Sequence, residues 1–404
     1  MRRIGFAVVV ASIFYSLYLS HAAVQLTAPS QPIPATYFGM HFVAGSNPWP
    51  AIPIGSWRLW DTSTRWPDIE PSAGRWQFTG LDKDMGAAQQ HGTDVLLTLG
   101  VTPQWASAHP DVKSGWQQPG LTSEPRSLDD WQAFVKQVAT RYKGQIHAYE
   151  IWNEPNLKQY WMGNMDQLIA MVRVAHDTIK SIDSQALIVS PPATTSAGIG
   201  WLNEFLSKGG GQYVDVIGYH LYVYPQPPEA MIGMVQQVKQ TMSKNGVGGK
   251  PIWCTEVGWA EPKPFPSEQL AAAYVARAYA LGWAAGVARV YWYAWDNHKW
   301  ATLQMTEADN STQKPAARAD SLIQQWLTGV QMDFCNQGSE DTWTCQLERN
   351  GSKQWIVWNA AEAKQFSIPA SWRATTVNTL EGGIQPISGS KIQINQSPVL
   401  LEAH

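Results

Sequence analysis

Eight short apolar runs recur along the chain, with amphipathic stretches between them. They are residues 36–42 (TYFGMHF), 56–61 (SWRLWD), 94–100 (DVLLTLG), 147–153 (HAYEIWN), 186–192 (ALIVSPP), 214–222 (VDVIGYHLY), 251–257 (PIWCTEV) and 288–295 (ARVYWYAW). Several are apolar throughout rather than alternating, as in parallel strands covered on both faces. The stretches between them place apolar residues at helical spacing, as in 127–144 and 266–286. The first of these opens on Ser127, a helix-capping residue, and closes at Gly144. Only the linker after the first run is short and Pro-rich, so its helix is expected to be degenerate. Repeated βα units over residues 36–330 predict an α/β fold, a (β/α)8 TIM barrel. An open doubly wound sheet competes, but it usually needs fewer strands, and no Gly-rich phosphate loop follows the first run.

From Met332 onward the pattern alternates instead. Residues 342–360 read as a hairpin turning at Asn350-Gly351, and 391–404 as a final strand. Residues 331–404 are therefore expected to form a small C-terminal β-sandwich-like domain, and the segment 23–35 to offer it a further strand. Cys335 and Cys345 flank a loop between two of these strands and are candidates for a disulfide, whereas Cys254 sits in an apolar strand and reads as an inert buried thiol.

The first residues add a location. Two arginines precede an apolar run from Ile4 to Leu19, followed by Ser20-His21-Ala22. That is the pattern of a secretory signal peptide over residues 1–22, cleaved after Ala22. An uncleaved anchor stays open as the alternative, because the run of 16 residues is near but below a span of about 20. The expectation is an exported, periplasmic or secreted bacterial protein with no membrane contact after cleavage. Charged residues are 15% of the chain and the net charge is −3, which argues against nucleic acid as a partner. The 22 tryptophans change the picture more. Their flat apolar faces suit the C–H faces of sugar rings. Filling a large core is the plainer reading, expected for at least half of them. Trp105, Trp116, Trp161 and Trp259 fall in predicted loops and are candidates for sugar contacts.

Barrel active sites lie at the C-terminal ends of the strands. Those ends carry His41, Arg58 with Asp61, Trp105, Asn153 with Glu154, His220 with Tyr222, Glu256, and Trp295 with Asp296. No phosphate loop, metal-ligand cluster or nucleophilic serine elbow competes with this set, so neither cofactor nor metal is expected. Eight strands about 4.8 Å apart, tilted about 36°, give a barrel roughly 15 Å across. Glutamates on the fourth and seventh strands would then bring their carboxyl groups to roughly 6 Å, near the ~5–5.5 Å of retaining glycosidases and short of the ~6.5–9.5 Å of inverting ones. Each residue also has a plainer reading: Glu154 as a capping carboxylate, Arg58 as a buried ion-pair member, His220 and Tyr222 as core. His41 and Trp105 divide evenly between site wall and core, and Trp292 rivals Trp295. Glu150 is the rival carboxylate, four residues deeper than Glu154.

The stretches EIWNEPN (150–156) and IWCTEVGW (252–259) resemble the acid/base and nucleophile strands of the retaining glycoside hydrolases of clan A. Within that clan, WRLWDTSTRWPDIEPSAGRWQF (57–78) is similar to glycoside hydrolase family 39, which includes β-xylosidases, α-iduronidases and bacterial exopolysaccharide hydrolases. The resemblance implies Glu154 as acid/base and Glu256 as nucleophile. It implies Asn153 bonding the sugar 2-hydroxyl, Arg58 and Tyr222 holding Glu256 ionised, His220 supporting the acid/base, and Trp295 flooring the first subsite. The charge of Glu256 would raise the pKa of Glu154. The substrate is expected to be a polysaccharide or oligosaccharide, attacked internally, and the protein a monomer. An exo-β-xylosidase is the runner-up. A carbohydrate-binding pseudoenzyme would lack one carboxylate, and this chain keeps both.

Overall fold

The computed structural model describes residues 24–43, 45, 48–114 and 118–403. The predicted signal segment and Trp116 lie outside them. No helix among the described residues is long and apolar enough to cross a membrane.

Eight parallel strand positions form the barrel: β1 (Phe38–Met40), β2 (Ser56–Leu59), β3 (Asp94–Leu99), β4 (Ala148–Ile151), β5 (Leu187–Val189, resuming at Ala193–Thr194), β6 (Ile217–His220), β7 (Ile252–Val257) and β8 (Val287–Trp292). Each pairs in parallel with its sequence neighbour, and β8 returns to β1 through Val290 opposite Phe38. The ring closes at the split β5. Its first half pairs with β4, its second half with β6, and a bridge from Val189 to Val216 joins the two. Helices follow β2 to β8 at Thr79–His91, Leu128–Arg141, Met165–Ile182, Gly198–Ser207, Ala230–Lys244, Glu268–Ala284 and Pro315–Leu327. Between Met40 and Ser56 no helix forms among the described residues, consistent with the proline-rich linker. Ser127 caps its helix by accepting from the amide of Asp129.

The barrel interior has two layers. Near the strand starts, Leu96, Ala148, Val189, Val216, Trp253 and Tyr291 pack into an apolar plug. Arg289 lies over Trp253 and is paired with Asp94 at 2.5 Å, closing the floor. One step up the strands the inward residues become polar: Arg58, Thr98, Glu150, His220 and Glu256, all buried. Side chains on alternate strand positions share a face. A register that points Leu96 and Ala148 inward therefore points Thr98 and Glu150 inward above them, and Leu97 and Tyr149 outward to the helices. Gly258, just past β7, lets the chain pass β8 closely. A Cβ there would lie 2.3 Å from the Tyr293 carbonyl oxygen.

The C-terminal unit is an antiparallel sheet. β9 (Gln331–Gln337), β10 (Thr342–Arg349) and β11 (Ser352–Asn359) run in succession, and β11 pairs onward with the last strand, Val399–Glu402. The N-terminal segment Gln25–Thr27 pairs antiparallel with β9. The β10–β11 turn is made by Asn350 and Gly351, at φ 52° and 80°, the left-handed pair that a tight hairpin requires. Buried Arg277 on a barrel helix joins the two units. It pairs with Glu229, which also accepts from Trp358 of β11.

Cys335 and Cys345 face each other across β9 and β10 and are disulfide-bonded. Replacing both by serine should cost about 3 kcal/mol of stability on the loop-entropy model. Urea unfolding of the oxidised protein and the double variant measures it, and unchanged midpoints would contradict the expectation. Cys254 is free and buried, and burial pushes its thiol up to about 12, leaving it unreactive near neutral pH.

Candidate active site

β4 ends at Ile151, before the Asn-Glu pair rather than at it. The chain then takes left-handed backbone at Trp152 (φ 66°) and again at Glu154 (φ 46°). Such conformations in non-glycine residues cost about 1–3 kcal/mol each and persist only where the surroundings enforce them. The enforcement is visible. The Trp152 amide donates to the Leu99 carbonyl, its indole N–H donates to the Tyr160 carbonyl, and its ring meets Trp161 edge-on at 4.8 Å. The double twist turns Asn153 and Glu154 into the barrel mouth instead of continuing the in-out alternation.

There they meet a connected polar network. Arg58, on β2, donates to Glu150 at 2.7 Å, to Glu256 Oε1 at 2.6 Å and to Asn153 Oδ1 at 2.8 Å. Burial works against the charge on Arg58, but the carboxylates of Glu150 and Glu256 outweigh it and raise its pKa. Thr98 also donates to Glu150. Glu150 is therefore fully buried beneath the site, with both donors on its Oε2. Tyr222 donates to Glu256 Oε2 at 2.8 Å. Burial, first, and the neighbouring carboxylates keep that phenol protonated. Both oxygens of Glu256 thus accept from donors, an arrangement that fits an anionic carboxylate. His220 Nδ1 lies 2.9 Å from Glu154 Oε1 and 3.4 Å from Glu256 Oε2. Burial depresses its pKa to about 4, so the imidazole is neutral.

The environment of Glu154 differs from that of Glu256. Burial raises the Glu154 pKa to about 7, against the smaller pull of Thr194 and Arg58. The cause is desolvation, not the charge of Glu256 expected from the strand pattern. One oxygen of each glutamate and one nitrogen of His220 lie within 4.8 Å of one another. Nearest oxygens within that distance fit carboxyl groups at the roughly 6 Å estimated from barrel dimensions and at the ~5–5.5 Å of retaining glycosidases. The same three residues are a conceivable metal-ligand set. However, Arg58 and Tyr222 already occupy both oxygens of Glu256, and a guanidinium beside them repels a cation.

A cavity of about 360 Å³ opens over these groups, lined by Asn153, Glu154, Thr194, Tyr222 and Glu256. Its aromatic walls are Trp60, Tyr160, Tyr224, Tyr293 and Trp300. Several assignments from sequence change here. Trp295 does not floor the cavity. It is 3% exposed, sits in the core, and its indole donates to the Asn310 carbonyl. Trp300, five residues on, lines the cavity instead. Trp105 donates to the Glu70 carbonyl and packs edge-on against Trp66, outside the cavity. Trp161 and Trp259 are buried core residues whose indoles donate to carbonyls of Asn164 and Gln226. His41 is fully buried below the wall. Its Nε2 contacts the Thr255 carbonyl at 3.0 Å, and its Nδ1 lies 3.6 Å from Asp61, which does line the cavity. Arg58 acts from beneath Glu256 and Asn153 rather than lining the cavity.

Comparison with known proteins agrees with this geometry. The family model "Glycosyl hydrolases family 39" matches residues 70–295. A β-xylosidase of Caldicellulosiruptor saccharolyticus is 25% identical over 175 residues, 41% of this chain and 34% of that protein. A second β-xylosidase, of Geobacillus stearothermophilus, is 21% identical over 235 residues, 51% of this chain and 46% of that one. The matches thus span less than half the length of these curated relatives. Among solved structures, a family 39 glycoside hydrolase from Bacteroides cellulosilyticus superposes with a TM-score of 0.76 at 16% identity, over 93% of this chain and 81% of that one. A family 39 β-xylosidase from Caulobacter crescentus does so at 0.69 and 15%, over 94% and 98%. These two share the fold.

Proposed function

The chain belongs to glycosyl hydrolases family 39, and from that premise we propose that it is an exported, retaining hydrolase of β-glycosidic bonds, acting within a bacterial exopolysaccharide. The observation that carries the chemistry is the pair of glutamates with oxygens within 4.8 Å of each other in unlike surroundings. Glu154 keeps its proton to about pH 7, and Glu256 is clamped by Arg58 and Tyr222. Glu256 attacks the anomeric carbon while Glu154 gives its proton to the leaving oxygen. The glycosyl–Glu256 ester then breaks when water attacks the same carbon and Glu154 takes the water's proton. The apolar run at residues 4–19 supports export.

Asn153 serves the sugar 2-hydroxyl. Its Oδ1 accepts from Arg58, which turns the amide nitrogen toward the cavity as a donor. Asn153→Ala should lower kcat and kcat/KM together, by roughly 2–4 kcal/mol of barrier, as for a lost preorganised donor. Steady-state kinetics on an aryl β-glycoside and on its 2-deoxy analogue measure this. An unchanged preference for the 2-hydroxy substrate would contradict the role.

Action within a chain is supported by a second cavity on the far side of Trp300, the residue that lines both, giving room for glycan beyond a single ring. The curated relatives named β-xylosidases favour the alternative, exo-acting release of single xylose units. Product sizing on a panel of β-linked polysaccharides separates the two. Early oligosaccharides and a fast fall in viscosity are expected. Monosaccharide alone from the first minutes would establish exo action.

A further inference from the structure

The second cavity has a volume of about 520 Å³ and lies between the loops that follow β7 and β8. It is lined by Lys263, Phe265, Glu268, His298, Lys299 and Trp300, among others. Trp300 is the partition. It lines both cavities and is braced edge-on by Tyr222, Tyr224 and Tyr293 at 5.1, 5.8 and 5.5 Å.

The charge in this cavity runs against that of the chain, which is −3 overall. Lys263 and Lys299 are exposed, and among the described residues neither ammonium group is paired with a carboxylate. The one carboxylate lining the cavity, Glu268, is paired with Lys314 at 2.8 Å. The helix Glu268–Ala284 starts at the cavity rim, so the positive end of its dipole adds to the same sign. Cations beside aromatic faces, in a cavity that shares Trp300 with the catalytic one, suit a sugar that carries an anionic group.

Position gives the subsite. Glu154 protonates the leaving oxygen from the β4 side, so the departing half of the chain extends there. The retained half lies over β7 and β8, where the second cavity is. We infer that this cavity is a distal subsite for an acidic sugar on the retained side, its carboxylate (of a uronate or a pyruvate ketal) held by Lys263 and Lys299 and its ring stacked on Trp300. The inference rests on the retaining, chain-cleaving reading of the catalytic pair.

The test is affinity electrophoresis of the full-length Glu256→Gln protein, which binds without turnover. The gels contain xanthan or glucuronoxylan, each compared with the same polymer after carboxyl reduction. Retardation should be stronger on the acidic form. Lys263→Ser with Lys299→Ser should weaken it roughly tenfold, as for two partly exposed ion pairs. Lys83→Ser with Lys136→Ser removes the same charge from the outer faces of two barrel helices and should leave binding unchanged. Equal retardation on acidic and reduced polymers, none on either, or equal loss in both double variants overturns the inference. A parallel assay of the wild-type protein on 4-nitrophenyl β-glycosides reports the catalytic reading separately. Intact acidic binding without any hydrolysis would sink that reading alone.

Discussion

Glu256→Ala is expected to lower kcat by roughly five orders of magnitude, as for removal of a catalytic nucleophile, and added azide is expected to restore turnover. The substitution deletes the carboxylate but leaves its two donors, the Arg58 guanidinium and the Tyr222 hydroxyl, facing the space it filled. Azide is an anion small enough to enter that space. It would attack the anomeric carbon from the face Glu256 uses, while Glu154 protonates the leaving oxygen. Because no second displacement follows, the product is the glycosyl azide of inverted configuration. Arg58 keeps its pairing with Glu150, so the guanidinium is not left alone in the interior. Circular dichroism should report an unchanged fold. A variant that keeps a tenth of the wild-type rate without azide would remove Glu256 from the nucleophile's role.

The second large effect belongs to Glu154. Its carboxyl must be protonated for the first step, and burial holds its pKa at about 7. Wild-type kcat/KM should therefore fall as pH rises through about 7 and the proton is lost. Glu154→Gln removes the titrating group and the proton donor together. On the glycan, whose leaving alkoxide needs protonation, the rate should drop by roughly 10²–10⁴. A 4-nitrophenyl glycoside leaves without help, so its first step should be nearly spared and should lose the alkaline fall. Pre-steady-state kinetics on both substrates from pH 5 to 9 measure this. Equal slowing of both would place the general acid elsewhere. Glu150 would not be the replacement, since it lies beneath the site, bonded to Arg58 and Thr98.

The parts of this site that sequence made legible are those tied to a period. Strands covered on both faces read as apolar runs, so their C-terminal ends could be counted and Glu154 and Glu256 placed on the fourth and seventh. The same count put Arg58, Tyr222 and His220 at strand ends, while their roles around the two glutamates came from the resemblance to family 39. What lay beyond the strands did not follow. The loop after β8 has no repeat to separate Trp295, which turns into the core, from Trp300, which lines the cavity. The same holds for Trp105, Trp161 and Trp259, whose indole N–H groups are spent on backbone carbonyls. The left-handed backbone at Trp152 and Glu154 leaves no mark either, because neither residue is glycine. Nor did the pattern indicate why Glu154 holds its proton. Burial depends on how Leu157, Tyr160 and Thr194 close around it, which is a property of the folded loops.

Two successive displacements at the anomeric carbon, the first by Glu256 and the second by water, retain its configuration. Proton NMR of a fresh digest of an aryl β-glycoside, recorded within the first minutes, resolves the anomeric signal of the newly formed sugar before mutarotation. Retention predicts that the β-anomer appears first and the α-anomer grows in later at the rate of mutarotation. The α-anomer appearing first would contradict double displacement through Glu256 and Glu154.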